Sequence, residues 1–118
     1  MAKVVVTIQC EGDQAVAVPE AVLVRPGDRL VFNFGRNDGT VTFHEPERLF
    51  DKPEPVFTTD KQGKIALEVL KSSEIRKNFK VPEGRSMAES CPCKVQCTDN
   101  RKSSNRDSAP VIIIEESQ

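Results

Sequence analysis

Residues 19–34 read PEAVLVRPGDRLVFNF, and this stretch decides the fold class. Val22 to Arg25 is a short strand-forming run that stops at Arg25-Pro26-Gly27-Asp28. There proline presets φ and glycine supplies the positive φ that a type II turn requires. Beyond the turn Leu30, Phe32 and Phe34 alternate with Val31 and Asn33, the period of a strand with one buried face. Short β-rich runs punctuated by turn residues predict a sandwich or barrel.

The same pattern continues in both directions. Toward the N-terminus, Val4, Val6, Ile8 and Cys10 alternate with Lys3, Val5, Thr7 and Gln9, giving a first strand with one apolar face. Toward the C-terminus, Asn37-Asp38-Gly39 suits a tight hairpin leading into Val41 and Phe43. His44 to Pro55 holds three prolines and six charged residues and reads as a loop. Val56–Thr58 is a further short strand. Gln62-Gly63 turns the chain into Ile65, Leu67 and Val69, expected on the sheet facing Phe32 and Phe34. The alternation fails across residues 71–92, read as an insertion in which Ser73 caps a short helix through Phe79. Cys93–Thr98 and Pro110–Glu115 are the last two strands, separated by the polar loop Asp99–Ser108.

At 118 residues this is a single domain, residues 1–118, long enough to bury a core without a metal or disulfide. Its composition, 30% charged and 37% hydrophobic, is that of a folded domain. The formal net charge of −1 argues against a nucleic-acid partner, which calls for a basic excess. No apolar run approaches the ~20 residues needed to span a bilayer, so no membrane role is expected. The opening MAKVVVTIQC reads as a strand rather than a secretion signal, which leaves either the cytoplasm, slightly favoured, or a mature form whose leader is already absent. There is no Gly-rich phosphate loop, nucleophile elbow or paired-His motif, so the chain reads as non-enzymatic.

The segment PEAVLVRPGDRLVFNF resembles the second and third strands of the cupredoxin family, with a Pro-Gly-Asp turn before an apolar, aromatic strand. FTTDKQGKIALEVL, residues 57–70, resembles the region of that family's penultimate sheet hairpin. CKVQC, residues 93–97, followed by a loop and then APVIIIE, resembles the last two strands, between which the family carries its metal-ligand loop. The resemblance implies an all-β, Greek-key β-sandwich of about seven to eight strands. An immunoglobulin-like sandwich is the runner-up, weakened by the absence of Trp and Tyr. The resemblance also places Cys97 where the family's Cys ligand lies, and a first His near position 39. A blue-copper centre takes two His, one Cys thiolate and a weak axial Met. Here Asn100 stands where the second His is expected, no His or Met follows it, and the single His, His44, falls after Val41–Phe43. The expectation is therefore a cupredoxin-like module without a copper site or other cofactor, acting by binding, with another protein as the partner.

Three of the four cysteines lie in ESCPCKVQC, where Cys91, Cys93, Val95 and Cys97 share one parity. Three readings stand. In the first, Cys93, Cys97 and Cys10 are small apolar core residues. In the second, Cys10 or Cys91 forms a disulfide across the sheets, with a connectivity that sequence does not give. In the third, Cys91, Cys93 and Cys97 supply a thiolate site for Zn2+ or Cu(I), or a redox centre, which is the alternative function. The Cys-x-Cys-x3-Cys spacing matches no strong zinc signature. Cys93 and Cys97 lie ~13 Å apart on an extended chain and are not expected to bond each other. Since Pro92 cannot donate to a ladder, Cys91 is expected on the preceding loop, its thiolate stabilised by Lys94 and Arg85.

Other charged clusters read as solvated surface. His44, a candidate general base, has no Ser, Cys or carboxylate motif beside it. The acidic loop of Glu45, Glu47, Asp51 and Glu54 is interrupted by Arg48 and Lys52 and lacks the glycine-punctuated spacing of a calcium loop. Lys71, Arg76, Lys77, Lys80 and Arg85 make the insertion basic, and Arg101, Lys102 and Arg106 do the same for the last loop. Brought to one end, they would form a cationic patch for an acidic partner or for phosphates.

Overall fold

A computed structural model describes residues 2–11, 14–98 and 107–117. At the Pro26-Gly27 turn, Gly27 takes φ +86° and the Asp28 N–H donates to the Arg25 carbonyl at 3.0 Å. The Asp28 carboxylate is itself buried and accepts from the backbone N–H groups of Arg25 and Ala2 at 2.9 and 3.0 Å. The turn thus fixes β3 (Ala21–Val24) and β4 (Arg29–Asn33) and also ties down the start of β1 (Lys3–Glu11).

The remaining strands are β2 (Gln14–Val18), β5 (Gly39–Phe43), β6 (Val56–Thr58), β7 (Lys64–Glu68), β8 (Met87–Cys97) and β9 (Val111–Glu116). Among the described residues one short helix, α1 (Ser72–Asn78), lies between β7 and β8, and a 3-10 turn spans Pro46–Arg48. The four-stranded sheet runs β2-β1-β4-β7 and the five-stranded sheet β3-β9-β8-β5-β6. Each sheet contains one parallel pair, β1 with β4 and β3 with β9. The result is an all-β sandwich of nine strands among the described residues, against the seven to eight expected. The additional strand is β2, Gln14 followed by alternating alanines and valines, which feeds β3 through Pro19 and Glu20.

Inward parity follows the sequence pattern. Val6, Ile8, Leu30, Phe32 and Phe34 are all buried, as are Val95 and Cys97. Phe43 sits at the centre of the aromatic core, edge-on to Phe32, Phe50 and Phe57 at centroid distances of 6.3, 5.0 and 6.0 Å.

Four expectations need correction. Ile65 and Leu67 are not on the facing sheet: β7 pairs with β4 in the same sheet, with Ile65 opposite Phe32 and Leu67 opposite Leu30. Neighbouring strands of one sheet both point alternate residues at the core, so burial alone does not separate the two cases. Second, the chain does not make a hairpin at Asn37-Asp38-Gly39. It turns at Phe34–Asn37, closed by the Asn37 N–H on the Phe34 carbonyl at 3.2 Å, and crosses from one sheet to the other.

Third, the regular strand begins at Met87, not Cys93, so Cys91 is on β8 and the irregular insertion ends before residue 87. Pro92 is tolerated because of which way its nitrogen faces. The Cys93 N–H donates to the Pro110 carbonyl, so odd-numbered amides of this segment point toward β9. The nitrogen of Pro92 points toward β5, whose pairing stops at Phe43 opposite Cys93. No ladder bond is lost there. Fourth, α1 is capped at Lys71 rather than Ser73. The Ser72 hydroxyl instead donates to Glu116 at 2.5 Å, and Arg76 Nε donates to the same carboxylate at 2.7 Å, fastening the helix to β9. These bonds, the Ser72 hydroxyl first, hold the Glu116 carboxyl below its ordinary range.

Candidate functional site

Among the described residues, two places that hold the cysteines and His44 lie along β8. The first is its C-terminal end. Cys97 pairs in register with Gly39 at the start of β5. Its sulfur is bonded to Cys10 of β1, joining the two sheets across a sequence separation of 87 with the Cα atoms 6.0 Å apart. The reading of Cys10 and Cys97 as free core thiols is therefore corrected. Both do face inward, and because β1 and β8 belong to opposed sheets their sulfurs come within bonding distance across the interior. Gly39 is buried, and a Cβ built on it would lie 2.6 Å from the Gln96 carbonyl oxygen and overlap the Phe34 ring. The Phe34 ring, itself buried, thus fills the space that a side chain at position 39 would need.

The second place is a pocket of ≈ 180 Å³ at the other end of β5, against residues 90–92 of β8. Phe43, Leu49, Phe79 and Pro92 give it apolar walls, and His44, Glu45, Arg48, Ser90 and Cys91 add polar groups. The sequence grows this pocket from the loop after β5. Glu45 adopts a left-handed conformation, φ 61°, that starts the 3-10 turn. The turn aims Arg48 over the Phe79 ring, 4.5 Å from its centroid. Arg48 is then held from both sides: Nη1 donates to Glu45 at 3.2 Å and Nη2 to the Asn78 carbonyl at 2.9 Å. Asn78 Nδ2 returns a bond to the Arg48 carbonyl at 3.1 Å. His44, a solvated loop residue by sequence, is exposed but stands at this rim. The rest of the constellation was missed, because residues from 43–49, 79 and 90–92 meet only in the folded chain.

Cys91 and Cys93 are free thiols. Cys93 is buried and donates to the Pro110 carbonyl at 3.5 Å, a bond that only the protonated form makes. Burial, with the neighbouring Cys91, pushes its pKa up to about 12. Burial likewise raises Cys91 to about 11; Glu89 adds to the rise and Arg48 opposes it. The expectation of a thiolate stabilised by Lys94 and Arg85 is corrected: β8 draws Cys91 into the sandwich, and the cation beside it is Arg48. Near neutral pH both thiols are protonated and weakly nucleophilic.

Of the proposed metal trio, Cys91, Cys93 and Cys97 share the inward face of β8, and Cys97 would need reduction before it could ligate. Among the described residues no group of three or more His, Cys, Asp or Glu has metal-binding geometry. Asn100, Arg101, Lys102 and Arg106 lie outside the described residues. Of the basic insertion, Arg76 is committed to Glu116 and to the Arg85 carbonyl. No helix is long and apolar enough to cross a membrane among the described residues.

Comparison with known proteins leaves these sites to speak for themselves. No protein-family model matches the chain, and none of the curated proteins matches it.

Proposed function

We propose that this chain is a cupredoxin-like sandwich that works by binding another protein and not by copper electron transfer. The observation that carries this reading is the Cys10–Cys97 disulfide. It occupies the thiol that the resemblance would assign to copper, at the end of the penultimate described strand and directly before the loop to the closing strand. The second ligand position fails as well, since Gly39 has no side chain and Phe34 fills the space beside it. His44 is five residues further along the chain, ~17 Å at strand rise, and at the opposite end of β5. A His2Cys copper centre does not fit this donor set.

The binding reading rests on the Arg48 pocket. Its ≈ 180 Å³ is well below the ~300–1,000 Å³ typical of cofactor and small-molecule sites. Apolar walls beside a guanidinium suit one anchoring aliphatic or aromatic side chain flanked by a carboxylate on a partner. The disulfide also supports residence in an oxidising compartment, in place of the cytoplasm expected from the N-terminus.

Copper and peptide experiments test the two halves. Cu(II) added to oxidised or reduced protein should give no intense thiolate-to-copper absorption band, and stoichiometric blue colour would overturn the reading. Display selection of random peptides on the native protein should enrich an apolar anchor beside Asp or Glu. Binding of those peptides should be lost in His44→Trp, which narrows the mouth of the pocket. No enrichment, or retained binding in His44→Trp, would remove the pocket from the proposal.

A further inference from the structure

Half of β8 is a strand edge. On one side β5 pairs with it only from Cys97 back to Cys93, opposite Gly39–Phe43. Residues 87–92 pair with β9 on their other side, and among the described residues no strand pairs with them on the β5 side. The chain leaves that place at Glu45, whose left-handed φ turns it toward the other sheet. There Phe50 bridges Val69, and the Leu70 N–H donates to the Leu49 carbonyl at 2.8 Å.

The open backbone groups follow from the register. Odd-numbered residues of this segment turn their N–H and C=O toward β9, as Cys93 does toward Pro110. Alternate residues of a strand point these groups to opposite sides. Ala88 and Ser90 therefore hold theirs toward the open side, joined there by the Pro92 carbonyl. Both Ala88 and Ser90 are exposed. An open strand edge of this kind is a template for pairing.

This edge runs past the Arg48 pocket. Ser90, Cys91 and Pro92 line the pocket together with Phe43, the last residue of β5. A further strand antiparallel to β8, as β5 and β9 are, would set side chains opposite Cys91 and Glu89 on the inward face. The first of these enters the pocket. The second meets Glu89, which is partly buried and forms no ion pair among the described residues. A cation suits that position and a carboxylate does not. The residue between the two faces outward, away from Arg48. A carboxylate for Arg48 must then precede the anchor, where β5 already fills the strand path and the incoming chain bends off beside Glu45 and Arg48.

We propose that the open edge of β8 at residues 88–92 binds an extended segment of another protein as an added antiparallel strand. Its apolar anchor lies opposite Cys91 in the Arg48 pocket, and a Lys or Arg two residues later lies opposite Glu89. The proposal rests on the pocket reading above and gives it a binding mode. Main-chain hydrogen bonds to Ala88, Ser90 and Pro92 supply affinity whatever the sequence, and the alternate inward side chains supply selectivity.

Amide hydrogen exchange of the oxidised full chain, with and without the display-selected peptides, tests it. In the free protein the Ala88 and Ser90 amides should exchange fast, and saturating peptide should slow both by about tenfold or more. The Glu89 and Cys91 amides, directed at β9, should stay slow in both states. Selected peptides should carry Asp or Glu before the anchor and Lys or Arg two residues after it. N-methylation of the peptide residue directly after the anchor, opposite Ser90, should weaken binding by about tenfold or more. N-methylation of the residue after that, whose N–H faces away from β8, should not. Ser90→Pro should keep the thermal transition, because the Ser90 N–H makes no bond to β9, and should bind the peptides at least about tenfold more weakly. Bound peptide that leaves Ala88 and Ser90 exchanging as in the free protein would overturn the proposal and leave the pocket reading standing. A selection that enriches no peptide would overturn both. Protection of Ala88 and Ser90 that grows with protein concentration, without peptide, would assign the edge to a second copy and overturn the proposal as well.

Discussion

At the residue scale, position 39 shows how one missing Cβ organises a region. Without it, the Phe34 ring and the Gln96 carbonyl close over the start of β5, and Cys97 lies opposite in register. Gly39→Ala should cost about 1–3 kcal/mol, the usual cost of overpacking a filled core. Combining it with Phe34→Leu should recover part of that loss, since the clash is with the ring. Denaturant unfolding with an unchanged slope checks both; a neutral Gly39→Ala would show that the space is open. Phe32, fully buried and edge-on to Phe43, makes the contrast, because Phe32→Ala removes packing rather than adding it and should cost about 3–5 kcal/mol. Much of this scale was legible in sequence. The period-2 pattern correctly placed Val6, Ile8, Leu30 and Phe32 inward because a strand has only two faces. The partner of Cys10 was not legible, since four cysteines allow three full pairings and parity says which face a thiol occupies but not what it meets.

At the scale of the element, β8 is where sequence reading did worst, and the reason is its change of partner. Residues 87–92 pair with β9 on one side and residues 93–97 pair with β5 on the other. Pro92 sits at the changeover, where its missing N–H costs nothing, yet in sequence it looks like a strand boundary. The same limit misassigned β7, whose inward residues would read alike from either sheet. The thiols of β8 give an alkaline signature. Their folded pKa values, about 11 for Cys91 and about 12 for Cys93, exceed the ordinary 9.0. Their contribution to stability is thus complete below about pH 9 and declines as pH rises toward 12, because the unfolded chain loses these protons first. Wild-type unfolding free energy should fall more steeply over that window than in Cys91→Ala/Cys93→Ala. Identical slopes would mean that the thiols ionise alike in both states.

At the scale of the whole molecule, the two sheets are held by their shared core and by one covalent link. Closing a loop with a sequence separation of 87 is worth about 4–5 kcal/mol in the chain-entropy model. A Cys10→Ala/Cys97→Ala variant should lose stability on that order, and its melting should be indifferent to reductant while the wild type's falls. If reductant leaves the wild-type transition unchanged, the link does not govern stability. The sandwich architecture was legible from the turn-punctuated runs, whereas the order of strands was not, because pairing is decided by contacts between segments far apart in sequence.

The bridge also determines how the molecule carries mechanical load. Pull on the two ends, and tension runs along β1 only to Cys10, crosses the sulfurs to Cys97, and leaves through the C-terminal segment and β9. Everything between, from β2 to β7 and most of β8, is bypassed while the bond is intact. An oxidised molecule under tension therefore gives up only its two terminal strands and then stops lengthening. The same molecule with the bond cut pays out its entire contour.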